Sequence, residues 1–342
     1  MNCISGKILT EQGFKQGYII LKDQEMPRLH FGNHSYNTSK KAIIIPTFIN
    51  AHTHIGDTFI RRKHVSLPHD IEELVAPPNG LKHRLLKNVK HEEITQGMIY
   101  GLDELEKEGI STFVDFRENG LDGINLLKKA LESKPINSRI FSRPKNLQFS
   151  RQEITTLLKN SDGIGISSIE DYNYDDIVLL SEEVERKHKQ FALHVSERIR
   201  EPIQPILDLK PNFIIHMTQA SKKDLEQVKN HHIPLVVCPR SNHFFHMKAN
   251  LREMKQTGNT ILLGTDNSMF HPLSILQEIE FIQGHFSNLF SLEDLFLIST
   301  YVARKALNLK DNIPGSTFPS SWILIDPKSY QIINVLKMVE EG

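Results

Sequence analysis

From residue 91 onward, two kinds of apolar segment alternate along the chain, and this alternation limits the fold more than any other feature of the sequence. Residues 91–108 carry apolar side chains at helical spacing (Ile94, Met98, Leu102, Leu105) and end at Gly109. Ile110–Phe116 then reads as a strand and 121–132 as a helix. The pattern continues with a strand at 139–143, stopped by Pro144, and a helix at 151–159. Further strands are predicted at 163–169, 191–194, 213–216, 234–238 and 260–266. Helices are expected between and after them at 175–189, 199–209, 221–229, 249–256, 273–283 and 291–307. Together with the apolar run Ile43–Ile49 that leads into His54, this makes eight strands. Strands separated by helices are parallel with right-handed crossovers. Eight such units have the size of a closed (β/α)8 TIM barrel, for which about 250 residues is typical. A doubly wound open sheet fits less well, because no Gly-rich phosphate turn follows the first strand.

The terminal segments do not share this rhythm. Residues 6–9, 18–21 and 41–45 read as short β segments, as do 320–335. A closed barrel cannot accept further strands, so the two ends are expected to meet in a small composite β-sandwich. The boundaries drawn are 1–45 plus 315–342 for the sandwich and 46–314 for the barrel. Between His54 and residue 90 lies a polar stretch containing Pro68, Pro77, Pro78, Asn79 and Gly80. It is long for a connection, and long loops in compact domains act as lids or binding loops.

Composition removes several classes of function. The 342 residues contain 41 Lys+Arg and 41 Asp+Glu, so there is no basic footprint for nucleic acid. No run of about 18 apolar residues suggests a membrane span, and the start of the chain lacks the pattern of a signal peptide. Cys3 and Cys238 are too few for a disulfide framework. A soluble cytoplasmic protein is the expectation, with a small molecule as partner, no nucleic acid or membrane, and a homo-oligomer allowed.

Chemically capable residues fall at equivalent places. His52 and His54 are two apart, which in a strand puts them on one face about 6–7 Å apart, close enough to share a metal ion. With 17 histidines in the chain, one such pair could arise by chance. However, His54, His194, His216 and Asp266 end the first, fifth, sixth and eighth predicted strands. In a closed barrel those ends converge at the mouth where active sites lie. Packing explains one buried histidine easily; it explains four residues at the same end of their strands poorly.

Several segments together resemble the amidohydrolase superfamily: Pro46–His54, Leu193–Glu197, Ile215-His216, Val237–Asn242 and Gly264-Thr265-Asp266. Ser299–Leu307 and Ile323–Pro327 resemble the segments with which that family returns to its β-sandwich. The resemblance is strongest to the branch of cytosine, adenosine-type and S-adenosylhomocysteine-type deaminases and triazine hydrolases. It implies that His52, His54, His194 and Asp266 hold one divalent metal. Two positions depart from the pattern. Thr47 replaces the usual Gly, and Gly315–Trp322 lacks the usual Gly-x-x-Ala-Asp.

Three imidazoles and a carboxylate suit Zn2+, with Fe2+ also allowed. Water on such an ion has a pKa lowered toward about 7. Asp266 can use one oxygen for the metal and the other to accept the water's proton, and His216 can orient or polarise the group under attack. Glu197, three residues past His194, falls beyond the strand in the mouth loop, where it can act as general acid. As a loop residue it could equally be a solvated glutamate. Binuclear relatives carry a bridging lysine on the fourth strand; residues 163–169 have none, although Glu170 follows them. One metal is therefore expected.

Arg117, Arg143 and Arg240, after the second, third and seventh strands, are candidates for binding an anionic substrate, unless they pair with Asp115, Glu118 or Glu170. The expected activity is hydrolysis of a non-peptide C–N bond, specifically deamination of a nucleobase-like heterocycle. A cyclic or linear amide hydrolase is the near alternative, and a non-catalytic metal-binding scaffold is the alternative of another class. The zinc deaminases that use His-x-Glu with Pro-Cys-x-x-Cys are excluded by Cys238-Pro239-Arg240-Ser241.

Overall fold

The computed structural model describes residues 2–21, 27–33, 40–75, 79–145, 148–310 and 319–337. The Pro77–Pro78 part of the long loop and residues 315–318 and 338–342 of the C-terminal segment lie outside the described residues.

β1 (Asn2–Thr10), β2 (Gly13–Leu21), β3 (Arg28–Phe31) and β4 (Lys40–Pro46) form one sheet with the C-terminal strands. Its order is β15-β14-β4-β1-β2-β3, where β14 is Ser321–Ile325 and β15 is Ile332–Lys337. The two ends of the chain thus pair with each other, as the β patterns at 6–45 and 320–335 suggested. One face packs its Leu9, Ile45, Ile323 and Ile325 into the barrel core, and the other gathers Ile8, Ile19, Ile44, Trp322 and Leu324. Thr47 is the joint to the barrel. Its amide donates to Ser321 O (3.0 Å), and its carbonyl and hydroxyl accept from Arg304 (2.8 and 3.0 Å).

The barrel strands are β5 (Phe48–His54), β6 (Ile110–Arg117), β7 (Asn137–Ser142), β8 (Gly163–Ile166), β9 (Gln190–Val195), β10 (Phe213–His216), β11 (Leu235–Val237) and a last strand in two pieces. β12 (Ile261–Leu263) pairs with β11, and β13 (Asp266–Asn267) pairs with β5. Between them Gly264 N donates to Val237 O (3.0 Å) and Thr265 N to His52 O (3.1 Å). The eighth strand changes neighbours there and closes the barrel. Asn50 fastens the seam, donating to Thr265 Oγ1 (2.8 Å) and accepting from Thr265 N (3.1 Å).

Ile49, Ala51, Val114, Phe116, Phe141, Ala192, Phe213, Ile215, Val236 and Leu262 fill the lumen. Their counterparts on the outer face, such as Phe113, Ile164, Phe191, Ile214 and Leu235, join the helix layer. This two-sided burial explains why the strands read as continuous apolar runs. The stretch from His54 to residue 90 contains more regular structure than its polarity suggested. It forms a 3-10 turn and three short helices, Thr58–Arg62, Ile71–Leu74 and Leu81–Asn88. No helix among the described residues is long and apolar enough to cross a membrane.

Candidate metal centre and substrate cavity

The side chains at the strand ends do converge, although simple alternation would not bring all of them there. Ile49 and Ala51 point into the lumen, and the β5–β6 ladder is irregular between Asn50 and Thr53, the stretch that contains His52 and precedes His54. Phe213 and Ile215 are also lumen residues, so a straight strand would aim His216 into the helix layer. His216 instead has φ 75°, and Asp266 has φ 58°. Both non-glycine residues occupy the left-handed region, a backbone strain of the kind that concentrates at functional sites. The surrounding ladder holds the turn after His216, with Met217 N donating to Val195 O (2.9 Å) and Gln219 N to Ser196 O (2.8 Å).

The ligand atoms of His52, His194, His216 and Asp266 all lie within 4.8 Å of one another. Asp266 Oδ1 is 3.2 Å from His52 Nε2 and 3.4 Å from His54 Nε2. His52 Nε2 and His194 Nε2 are 3.2 Å apart. Tautomers follow from the partners on the far side of the rings. His194 Nδ1 must donate to Ile166 O (2.9 Å), and His54 Nδ1 to Glu118 Oε1 (3.0 Å). Their Nε2 lone pairs therefore point inward, toward a carboxylate that can only accept. The Nε2 lone pairs of His54 and His194 converging near this carboxylate form a cation site, and three imidazoles with one carboxylate suit a borderline-soft divalent ion.

Electrostatics agrees with that assignment. Burial lowers His54 to about 3, helped by the nearby Lys82 ammonium, and lowers His216 to about 4. Burial also pushes His194 well below its usual value. Neutral imidazoles are the form that ligates metal. Burial alone would raise Asp266, but its hydrogen bond with His52 and the surrounding imidazoles hold it well below the usual carboxylate range. Ser241 Oγ donates to the second oxygen, Oδ2, and so fixes the carboxylate.

His216 differs from the other histidines. Asn242 Nδ2 donates to its Nδ1 (3.3 Å), which leaves the Nε2 proton facing Glu197 Oε1 at 3.3 Å. Glu197 is on the mouth loop after β9, and its side chain is 19% exposed. Burial and the carboxylates of Asp266 and Glu201 push its pKa well above the usual carboxylate range, which favours the protonated form.

Above this cluster lies a cavity of about 910 Å3 bounded by His54, His194, Glu197, His216 and Asp266. The short helices Ile71–Leu74 and Leu81–Asn88 line it, contributing Ile71, Leu81, Lys82 and Arg84. This fits the lid role expected of the long connection.

The three candidate arginines separate. Arg117 is committed to Asp115 (3.3 Å) and Glu118 (2.8 Å). Arg240 binds Glu278 (2.7 Å), Gln277 (2.6 Å) and two backbone carbonyls, and does not line the cavity. The expectation of three guanidiniums at one mouth is therefore corrected to Arg143, which does line it. The partners foreseen for Arg117 were right. Arg240's partner is Glu278, 38 residues further along the chain and invisible to a local reading. Glu170 also lines the cavity, whereas His243 and His246 are exposed and do not.

Not foreseen was the Lys82 half of a buried charge network behind His54. Lys82 Nζ contacts Asp57 Oδ2 (2.7 Å) and Glu118 Oε1, and Arg117 joins Asp115 to Glu118. His54, Asp57 and Glu118 could together hold a cation, but the Lys82 ammonium already lies between the two carboxylates. Ser241 and Asn242, within a quoted motif, signalled nothing by residue type alone.

The Amidohydrolase family profile matches residues 43–313. An uncharacterized protein of Methanocaldococcus jannaschii is 34% identical over 330 residues, covering 90% of this chain and 81% of that one. Among solved structures, Helicobacter pylori aminofutalosine deaminase, in complex with methylthio-coformycin, superposes with a TM-score of 0.71 at 16% identity, covering 95% of this chain and 92% of that one. A Xanthomonas campestris adenosine deaminase with bound zinc gives a TM-score of 0.72 at 12% identity, covering 98% and 92%. At such identities these two structures show a shared fold. On the match over most of its length, and with a (β/α)8 barrel whose mouth carries a His/Asp cluster able to bind metal, this chain belongs to the amidohydrolase family.

Proposed function

We propose that the protein is a mononuclear metal-dependent deaminase that hydrolyses an amidine-like C–N bond in a heterocyclic amine. The observation that carries this reading is the placement of Glu197: a carboxyl beside His216 and facing the cavity, with burial strengthening its hold on a proton. Amide hydrolysis does not require a second proton donor at a ring nitrogen, whereas deamination of an aromatic ring does. Deaminases among the proteins of the same fold support the same reading.

We assign the ligands as His52, His54, His194 and Asp266, and the ion as zinc, in keeping with the donor set. Such an ion supplies Lewis acidity and lowers the pKa of water toward about 7. The chain's own residues do the rest. Water adds to the ring carbon while Glu197 gives its proton to the adjacent ring nitrogen. Asp266, held anionic and oriented by Ser241, takes a proton from that water and returns it to the leaving amine. The exocyclic C–N bond breaks and ammonia leaves, while the new hydroxyl becomes a carbonyl by giving its proton back to Glu197. His216 Nε2–H, oriented by Asn242, donates to the oxygen that becomes this carbonyl. The lid segment excludes water.

The test is ammonia release from a panel of aminopyrimidines, aminopurines and triazines by the zinc-loaded protein and its Glu197→Gln variant. Release abolished in the variant, with metal retained, is the expected result. Hydrolysis of cyclic or linear amides with no ammonia from any ring amine would replace deamination with amide hydrolysis. Absence of any turnover, unchanged by the substitution, would leave a metal-binding scaffold.

A further inference from the structure

Arg143 stands out among the buried arginines because the fold has not neutralised it. Arg117 and Arg240 each meet a carboxylate, and Arg304 donates to Thr47 and Ser111. Arg143 is 9% exposed, lines the cavity, has an Nε with no partner, and forms no ion pair among the described residues. It extends from the loop after β7, its own amide fixed to Arg117 O (2.8 Å). A charge removed from water without a partner is strongly unfavourable, and folded proteins rarely keep one without a use.

The carboxylates in the same cavity do not supply the missing partner. Asp171 accepts from Ser167, and Glu201 from Ser168 and the Ser196 amide. Glu170 is exposed. The Lys82 ammonium, across the cavity wall, is already spent on Asp57 and Glu118. Arg84, on the lid helix, lines the same space and forms no ion pair among the described residues.

We infer that Arg143, with Arg84 from the lid, forms an anion subsite that recognises a phosphate or carboxylate on the substrate, so that the compound processed is a heterocyclic amine bearing an oxyanion. This rests on the proposed reading of the cavity as the substrate site. A planar guanidinium with free donors matches either group by paired hydrogen bonds. The substrate's own charge completes the pairing the fold leaves open.

The experiment follows thermal unfolding of the metal-loaded protein in inorganic phosphate and, separately, in propionate, for wild type and Arg143→Gln. The anion that the subsite recognises raises the wild-type midpoint by roughly 5 °C once it exceeds its Kd a hundredfold. In Arg143→Gln that shift is lost. Without any anion, the variant unfolds at the same temperature as wild type or higher, because an unpaired buried charge has been removed. Anion held at the metal centre alone stabilises both proteins equally, so only the difference between them counts. Phosphate and propionate name the group by which of them gives the Arg143-dependent shift. Equal shifts in both proteins, or none in either, would overturn the inference. Loss of folding in Arg143→Gln would do the same, since it would make Arg143 a structural residue. No turnover is involved, so absence of ammonia release would remove the proposed reaction without altering this result.

Discussion

Gly264 is where the closure of the barrel and the geometry of the metal cluster depend on the same atoms. A Cβ at this position would lie 2.8 Å from His52 Cβ, 2.9 Å from His52 N and 3.0 Å from His52 O. Carbon atoms in good contact are about 3.5–4.0 Å apart, so Gly264→Ala forces β5 and the last strand apart by roughly 0.7 Å or more. The obstructing atoms are backbone and a Cβ, which cannot swing aside. The Thr265 N–His52 O bond of 3.1 Å and the His52–Asp266 approach of 3.2 Å both span this gap. Overpacking of this kind destabilises by about 1–3 kcal/mol. Displacing one ligand against another is expected to weaken metal binding about 10–100-fold, as removal of outer-shell support does. Urea unfolding of the metal-free protein measures the first effect, and a competitive zinc chelator titration the second. Gly284→Ala is the control. Its Cβ meets nothing within 4 Å at the end of the helix Ile275–His285, and it should stabilise by about 0.5–1 kcal/mol with metal affinity unchanged. If Gly264→Ala matched wild type in both stability and zinc affinity, the account of the seam would be refuted.

Other expectations follow from single groups. Glu197→Gln should lower kcat about 100–10,000-fold with metal content unchanged, measured by ammonia release. Because Glu197 acts in its protonated form and its pKa is raised, wild-type kcat should fall as pH rises through that value. A wild-type profile flat into alkaline pH would contradict this role. Lys82→Met leaves Asp57 and Glu118, both buried, without their ammonium and should destabilise by about 3–5 kcal/mol in urea unfolding. A loss below about 1 kcal/mol would show that Arg117 alone can balance the network.

The residues that make the barrel were legible because burial on both faces imposes a pattern on each strand. Phe213–His216 could be bounded to the residue, and the helix expected at 91–108 ends within one residue of that bound. Placing His194 at the mouth required only a count of strands. Elsewhere local pattern was overruled by context. The break between Leu263 and Asp266 comes from a change of strand partner, which a continuous apolar run hides. Residues 291–307 read as one helix, but the middle is a π segment at Ile298–Val302. The helix Pro239–Phe244 starts at a proline, a good first helical residue, inside what looked like a loop. Arg240 and Lys82 show the main limit. A charge in a loop looks the same in sequence whether it faces ligand or a carboxylate brought near by the fold, and Glu278 and Glu118 are distant in sequence from those they pair.

The central claim is one metal ion held by strand-end histidines with an aspartate. Elemental analysis of the purified protein, wild type beside His194→Ala, tests it most directly. About one equivalent of a divalent metal in wild type, lost in a folded His194→Ala protein, is the predicted result. Two equivalents would contradict it by requiring an ion where Lys82 sits between Asp57 and Glu118. No metal after reconstitution, or full retention in His194→Ala, would leave the convergence of these side chains without the function assigned to it.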